Sequence, residues 1–466
     1  MKMQKKHRKH GVARLNEITE GVIWKQLLLF FFPIMLGSLF QQLYNMADAM
    51  IVGNFVGKEA LAAVGGTTSA LINLLVGFFV GLASGATVII AQFFGGSSDR
   101  EVSRGVHTSM MLAIVGGAVL MVVGIVMAEP LLRLMQTPED IMGYSVTYIR
   151  IYFLGMIPSA IYNIGSGILR AVGDSKRPLY FLMAACIINI ILDFLFVVGF
   201  HWGVVGAGVA TVLSQCVSAA LVCFVLARSN ESYQLIIHKI RFDSAMLSRI
   251  IQIGLPAGLQ SAMYNAANIV VQTSINTFGT NTVASWTVFE KMDGIFWMVL
   301  AAFGVAVTTF VGQNFGARKY ERVRKSVRVS LMICMGIAIV LSAVLIVLAK
   351  YIFMLFTSDA AVVEEGVFMV QFMMPLYFTY VFTEILSGAV RGTGDAFIPM
   401  MITCIGVCAL RIAWLVIIVP QWHDTRAVML SFPITWVVTS SAFVIYYLKG
   451  KWLQRGIKRL DDSGVL

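Results

Sequence analysis

The chain has 466 residues, of which 58% are hydrophobic and only 13% charged, with a formal net charge of +11. A soluble globular chain carries about 25% charged residues, and no water-soluble fold can hide so large an apolar share. These proportions exclude an ordinary soluble enzyme or binding domain and point to a protein whose solvent is largely lipid.

Residues 1–14, MKMQKKHRKHGVAR, are basic and precede an apolar run. A signal peptide starts in the same way, but no small-residue cleavage site follows, and Pro33, Gln41, Gln42 and Asp48 interrupt the run. The expectation is a retained first span behind a basic cytoplasmic tail, residues 1–26. Further along, 71–90, 111–128 and 329–349 contain no charge at all. A helix needs roughly 20 such residues to cross about 30 Å of hydrocarbon, whereas barrel strands alternate over about ten. Spans are expected at 27–54, 67–94, 106–128, 143–169, 178–199, 204–227, 250–277, 283–312, 329–349, 366–390, 398–419 and 427–448. The fold class is therefore an all-α polytopic membrane protein with twelve transmembrane helices.

The basic residues orient this layout. With both termini inside, most of the 35 Lys and Arg fall in cytoplasmic segments. Lys58, Arg133, Arg150, Lys350 and Arg426 fall outside, and Lys291 and Arg411 sit within spans. Such a bias follows the positive-inside rule. It accounts for the net charge through anionic lipid headgroups, with no nucleic-acid partner. The six cysteines all fall within expected spans, form no CxxC pair and show no zinc spacing, so they read as small apolar fillers.

The polar stretch 228–249 divides two similar halves, 27–227 and 250–448, with a tail at 449–466. Ser166, Gly167, Arg170, Gly173, Asp174 and Pro178 match Ser387, Gly388, Arg391, Gly394, Asp395 and Pro399 at a common offset of 221. Gln92, Phe94 and Gly95 match Gln313, Phe315 and Gly316 at the same offset. Six spans return the chain to its starting side, so the halves share one orientation. Two six-helix lobes related by a pseudo-two-fold axis along the membrane normal follow, with substrate expected near the midplane.

These residues resemble a family. Pro33 followed by Asp48 and Gly53 resembles the opening of the MATE (multidrug and toxic compound extrusion) transporters. The twice-used Arg-x-x-Gly-Asp-x-x-x-Pro resembles their repeated cytoplasmic turn. Asn189-x-x-x-Asp193 and Thr211 resemble the cation site of prokaryotic members. The resemblance runs over about residues 20–450 and is nearest to the DinF-like and NorM-like bacterial branches. It implies a V-shaped pair of lobes in the bacterial plasma (inner) membrane, working by alternating access. It also implies antiport of cationic or amphiphilic compounds against H⁺ or Na⁺. NorM-like members carry a glutamate in span 7. Here that span offers Gln260, Asn265, Asn268 and Gln272, and an acid, Glu384, stands in span 10 instead.

Buried ionisable groups are costly in a bilayer, so each is a candidate. Asn189 and Asp193 share one helical face. Asp48 must leave lipid, and Thr211 adds a hydroxyl. These four form the expected cation-coupling site, with hard oxygens suited to Na⁺ or carboxylates suited to a proton. The bland alternative is a structural hydrogen-bonded set joining three spans. Glu290 and Asp293 share a face of span 8, with Trp297 one turn beyond. They read either as a cation-attracting cavity wall or as part of an internal salt-bridge set that includes Lys291 with Glu384. Arg411 is expected to neutralise one acid. Gln41, Tyr44 and Asn45, and the fourfold-spaced Gln260, Tyr264 and Asn268, are expected either to touch substrate or to hydrogen-bond between helices. The Arg170/Asp174 and Arg391/Asp395 turns read as structural, through carboxylates at helix starts.

No HExxH, GxSxG or Walker A sequence is present, so no enzyme or nucleotide-driven pump is expected. The expected cofactor set is none beyond the coupling ion, and the partners are small organic molecules and membrane lipid, with the chain acting as a monomer. The alternative is a flippase for a lipid-linked or polyisoprenoid substrate. It would want several buried bases, and the spans offer two basic residues beside five acids.

Overall fold

The computed structural model describes residues 18–462, and among them every regular element is helical. The basic residues 1–17 and the last four lie outside the described residues. The first half holds α1 (Ile23–Phe55), α2 (Lys58–Gly65), α3 (Thr67–Gly95), α4 (Asp99–Leu134), α5 (Glu139–Leu154), α6 (Met156–Ala171), α7 (Lys176–Asp193) and α8 (Gly203–Ala227). The second half holds α9 (Ser244–Asn276), α10 (Thr280–Gly316), α11 (Tyr320–Phe356), α12 (Ala360–Met373), α13 (Tyr380–Gly392), α14 (Phe397–Thr403), α15 (Leu410–Ile417) and α16 (Thr425–Lys449). A last helix, α17 (Trp452–Asp462), follows.

Among the described residues ten helical segments are long and apolar enough to cross a membrane, eleven with α5 and α6, which meet at a 50° bend. The twelfth is α9, whose 33 residues suffice in length. Its amides, Gln260, Asn265, Asn268 and Gln272, keep it less apolar than its neighbours. Packing against protein compensates: Gly254 and Gly258 of α9 lie on the α3 backbone at Leu82 and Phe78, where any larger side chain would overlap. The twelve expected spans are therefore present.

Hydropathy located these spans but not their shapes. α4, α10 and α11 run to 36, 37 and 37 residues, because helix continues past each apolar run into polar turns. Three spans change winding: a π turn at Phe194–Gly199, a 3₁₀ turn at Met374–Thr379 and a π turn at Cys404–Ala409. The stretch read as linker ends early, since Asp243 caps α9 by accepting from the Met246 N–H at 3.0 Å. Arg104 bridges Glu101 and Asp243, tying the linker to α4. That guanidinium holds the Asp243 carboxyl below the usual carboxylate range. α17 was not expected. It buries Trp452, Leu453 and Leu460 and exposes Lys458 and Arg459, an amphipathic helix seated on the second half.

The repeat survives as paired contacts. Gln92 Nε2 donates to the Gly392 carbonyl at 2.8 Å, and Gln313 Nε2 donates to the Ala171 carbonyl at 2.6 Å. The two bonds are images of each other at the 221 offset and cross between the halves in opposite directions. Beneath them α3 and α10 cross where Gly95 faces the Gln313 backbone and Gly316 faces that of Gln92. Only glycine permits this approach, which explains both residues in the repeated motif. The first and last described segments gather at the same end: Asn314 and Arg322 donate to the Ile18 carbonyl, and Arg459 to that of Gly394.

Candidate functional site

In the first half a cavity of about 440 Å³ opens among α1, α3 and α5 to α8. Gln41, Tyr44, Asn45 and Asp48 line it from one face of α1, joined by Tyr148, Tyr152 and Gln215. Asp48 is 5% exposed, and Asn189, Asp193 and Thr211 are fully buried. Tyr44 approaches Thr211 and lies within electrostatic reach of both carboxylates, and Asp193 lies within electrostatic reach of Asp48. Asp48, Asp193, Thr211 and Tyr44 thus lie near one another, with Asn189 one turn before Asp193 on α7.

The hydrogen bonding of this cluster is sparse. Asp48 Oδ2 accepts from the Tyr148 hydroxyl at 3.5 Å, a long contact. Among the described residues no donor reaches Asp48 Oδ1, either Asp193 oxygen or the Asn189 amide. Buried carboxylates left so are costly as anions. A proton, or a hard cation held by these oxygens, removes that cost and the repulsion between the two acids. The π turn starts immediately after Asp193, a winding defect often found at functional sites.

The second half treats its acids differently. Asp293 accepts from Trp297 Nε1 at 2.8 Å and from the Tyr377 hydroxyl at 2.6 Å. Trp297 also stacks edge-on to Tyr380 at 4.7 Å, and Tyr377 to Trp436 at 4.9 Å, so the acid is embedded in an aromatic core. Arg411, 1% exposed, does not form the expected ion pair. It feels the Asp293 charge but donates to Thr435 at 3.1 Å and lies 4.1 Å over the Phe432 ring. Glu290 is exposed and accepts from Trp286 at 3.1 Å. Lys291 is exposed and does not meet Glu384, which faces Gly304 instead. Along α10 those positions are about 20 Å apart at roughly 1.5 Å per residue. Gln260 bonds Thr403 at 3.2 Å and Arg391 at 3.1 Å, Tyr264 packs near Trp297, and Asn268 is exposed. The fourfold stripe therefore fans into three surroundings rather than forming one wall.

Four cavity-lining residues, Tyr148, Tyr152, Gln215 and Asn163, were not expected from the sequence, and two arginines expected only at turns also line a cavity. Tyr148, Tyr152 and Gln215 line the first cavity but lie on α5 and α8 without a charge to flag them. Asn163 and the two arginines of the repeated turn line a second cavity of about 230 Å³ between the halves. Helical side chains lean toward the helix N-terminus. Arg170 and Arg391, near the ends of α6 and α13, therefore reach back into the protein rather than out to water. Their turn partner Asp174 does behave as a cap, accepting from the Lys176 and Arg177 N–H groups at 3.1 Å.

Comparison with known proteins bears on the whole chain. A family model described as MatE matches residues 33–195 and again 256–417, once per half. The probable multidrug resistance protein YpnP of Bacillus subtilis is 28% identical, over 94% of this chain and 97% of its own length. The probable multidrug resistance protein NorM of Thermotoga maritima is 24% identical, over 95% and 96%. A crystal structure of MATE in the bent conformation shares the fold, with a TM-score of 0.87 at 22% identity over 94% of this chain and 98% of that one.

Proposed function

Because the chain belongs to the MatE family, whose members are transporters rather than enzymes, we propose that it exports cationic or amphiphilic organic compounds in exchange for H⁺ or Na⁺. Asp48, Asn189, Asp193 and Thr211 take the cation. The observation that supports this reading is the buried, donor-poor carboxylate pair beside a solvent-sized cavity. The resistance proteins it resembles favour drugs as cargo. In the proposed cycle, substrate occupies the first-half cavity beside Gln41, Tyr44 and Asn45. Cation binding favours one arrangement of the halves, and release favours the other, as differential affinity requires. The end closed by the Gln92 and Gln313 bonds is assigned to the cytoplasm, with both termini there. The chain works as a monomer in the bacterial inner membrane.

The test is efflux of ethidium from proteoliposomes under proton and sodium gradients imposed separately. Wild type drives efflux under at least one gradient, and Asp48→Asn and Asp193→Asn lose it. Full coupled efflux in both variants sinks the assignment of the site.

A further inference from the structure

The cavity between the halves is built from equivalent positions. Thr87, Asn163 and Arg170 line it from the first half, and Thr308, Glu384 and Arg391 from the second, each pair at the 221 offset. One exchange breaks the symmetry: Asn163 stands where the second half has Glu384. Glu384 interacts with Arg391 on its own helix. Arg170 has no such acid, since Asn163 turns its amide to the Ser159 carbonyl at 2.9 Å. Arg391 spends one NH₂ group on Gln260 at 3.1 Å. The Nε groups of both arginines are buried without a hydrogen-bond partner among the described residues. Two guanidiniums against one carboxylate leave this partly open space with an excess positive charge. An uncompensated charge at such depth is expensive and marks a ligand site, and guanidinium forks match oxyanions.

We propose that this cavity holds an oxyanion group of the transported molecule, a carboxylate or phosphate, between Arg170 and Arg391. The inference rests on the exporter reading and gives preference, among its cargo, to amphiphiles that carry a negative group beside their cationic part. Val80, Asn163 and Arg170 line both cavities, so the two spaces adjoin. One molecule then reaches from the first space into the second, with its oxyanion at the arginines and its cationic portion in the first-half cavity.

Rhodamine B and its ethyl ester test this, because they share a chromophore and differ in one free carboxylate. Binding is read by fluorescence polarisation on the full chain in detergent, and driven efflux in phosphatidylcholine liposomes. Wild type is expected to bind the acid at least about tenfold more tightly than the ester, equivalent to about 1.4 kcal/mol. Arg170→Gln and Arg391→Gln should each bring the ratio toward one. Glu384→Gln, which removes the opposing charge, should raise it. Equal binding of the two dyes by wild type, or a ratio that survives both arginine substitutions, overturns the proposal. If an arginine variant does not fold, Glu384→Gln decides: a raised ratio supports the site, and an unchanged or lowered one overturns it. Driven ester efflux without acid preference discards this inference alone. Acid preference in binding without driven efflux of either dye discards the exporter reading alone.

Discussion

Asp193, fully buried, and Asp293, half-buried, are acids on long helices, one in each half, and their surroundings are opposite. Asp293 receives two short hydrogen bonds from Tyr377 and Trp297 inside a tight aromatic core. Asp193 receives none among the described residues, and it faces a second acid, Asp48. A carboxylate saturated by donors has little to gain from a cation, whereas one without donors gains a great deal. The difference teaches where to seek chemistry in a repeated fold: at positions where a charge is present and its partners are missing.

The largest expected effect follows directly. Asp193→Asn should lower coupled efflux by about tenfold or more, since about 1.4 kcal/mol of lost binding is already that factor. Thermal stability in detergent should hold or rise, because a costly buried charge goes with it. A thermal scan beside the efflux assay checks both. Asp293→Asn should do the reverse. The amide presents a donor to a donor, so about 1–3 kcal/mol of stability is lost, while the proton or sodium dependence of efflux is kept. Loss of that ion dependence in Asp293→Asn at normal folding would erase the contrast. Tyr377→Phe removes one of the two donors and should cost about 1 kcal/mol, read as a smaller drop in melting temperature.

The smallest effect uses the symmetry as its own control. Gln92→Ala and Gln313→Ala each delete one cross-half bond of the same geometry, costing about 1 kcal/mol each. Their melting shifts should therefore match. Unequal shifts would show that the two halves carry unequal load at the closed end.

The sequence showed the twelve spans through apolar runs, and the repeat through nine matched residues at one offset. α9 was legible there as the span 250–277, though its amides weaken the apolar signal. The proposed cation cluster was legible because Asp48 and Asp193 are charges within expected spans and because Asn189 shares a face with Asp193. Arg170 and Arg391 were visible but misplaced: residue order puts them at a turn, and only the lean of the side chain puts them in a cavity. The pairing of Arg411 with Phe432 and Thr435 was not legible, because position along a span does not say which ring or hydroxyl on another helix lies opposite.

Infrared difference spectroscopy of the purified protein tests the central claim most directly, by following carboxyl bands as Na⁺ is added or pH is raised. The cation-induced carboxyl band should appear in wild type and in Asp293→Asn, and be lost in Asp48→Asn and Asp193→Asn. A band that persists in both first-half variants and vanishes in Asp293→Asn would place the coupling ion in the other half and contradict the account.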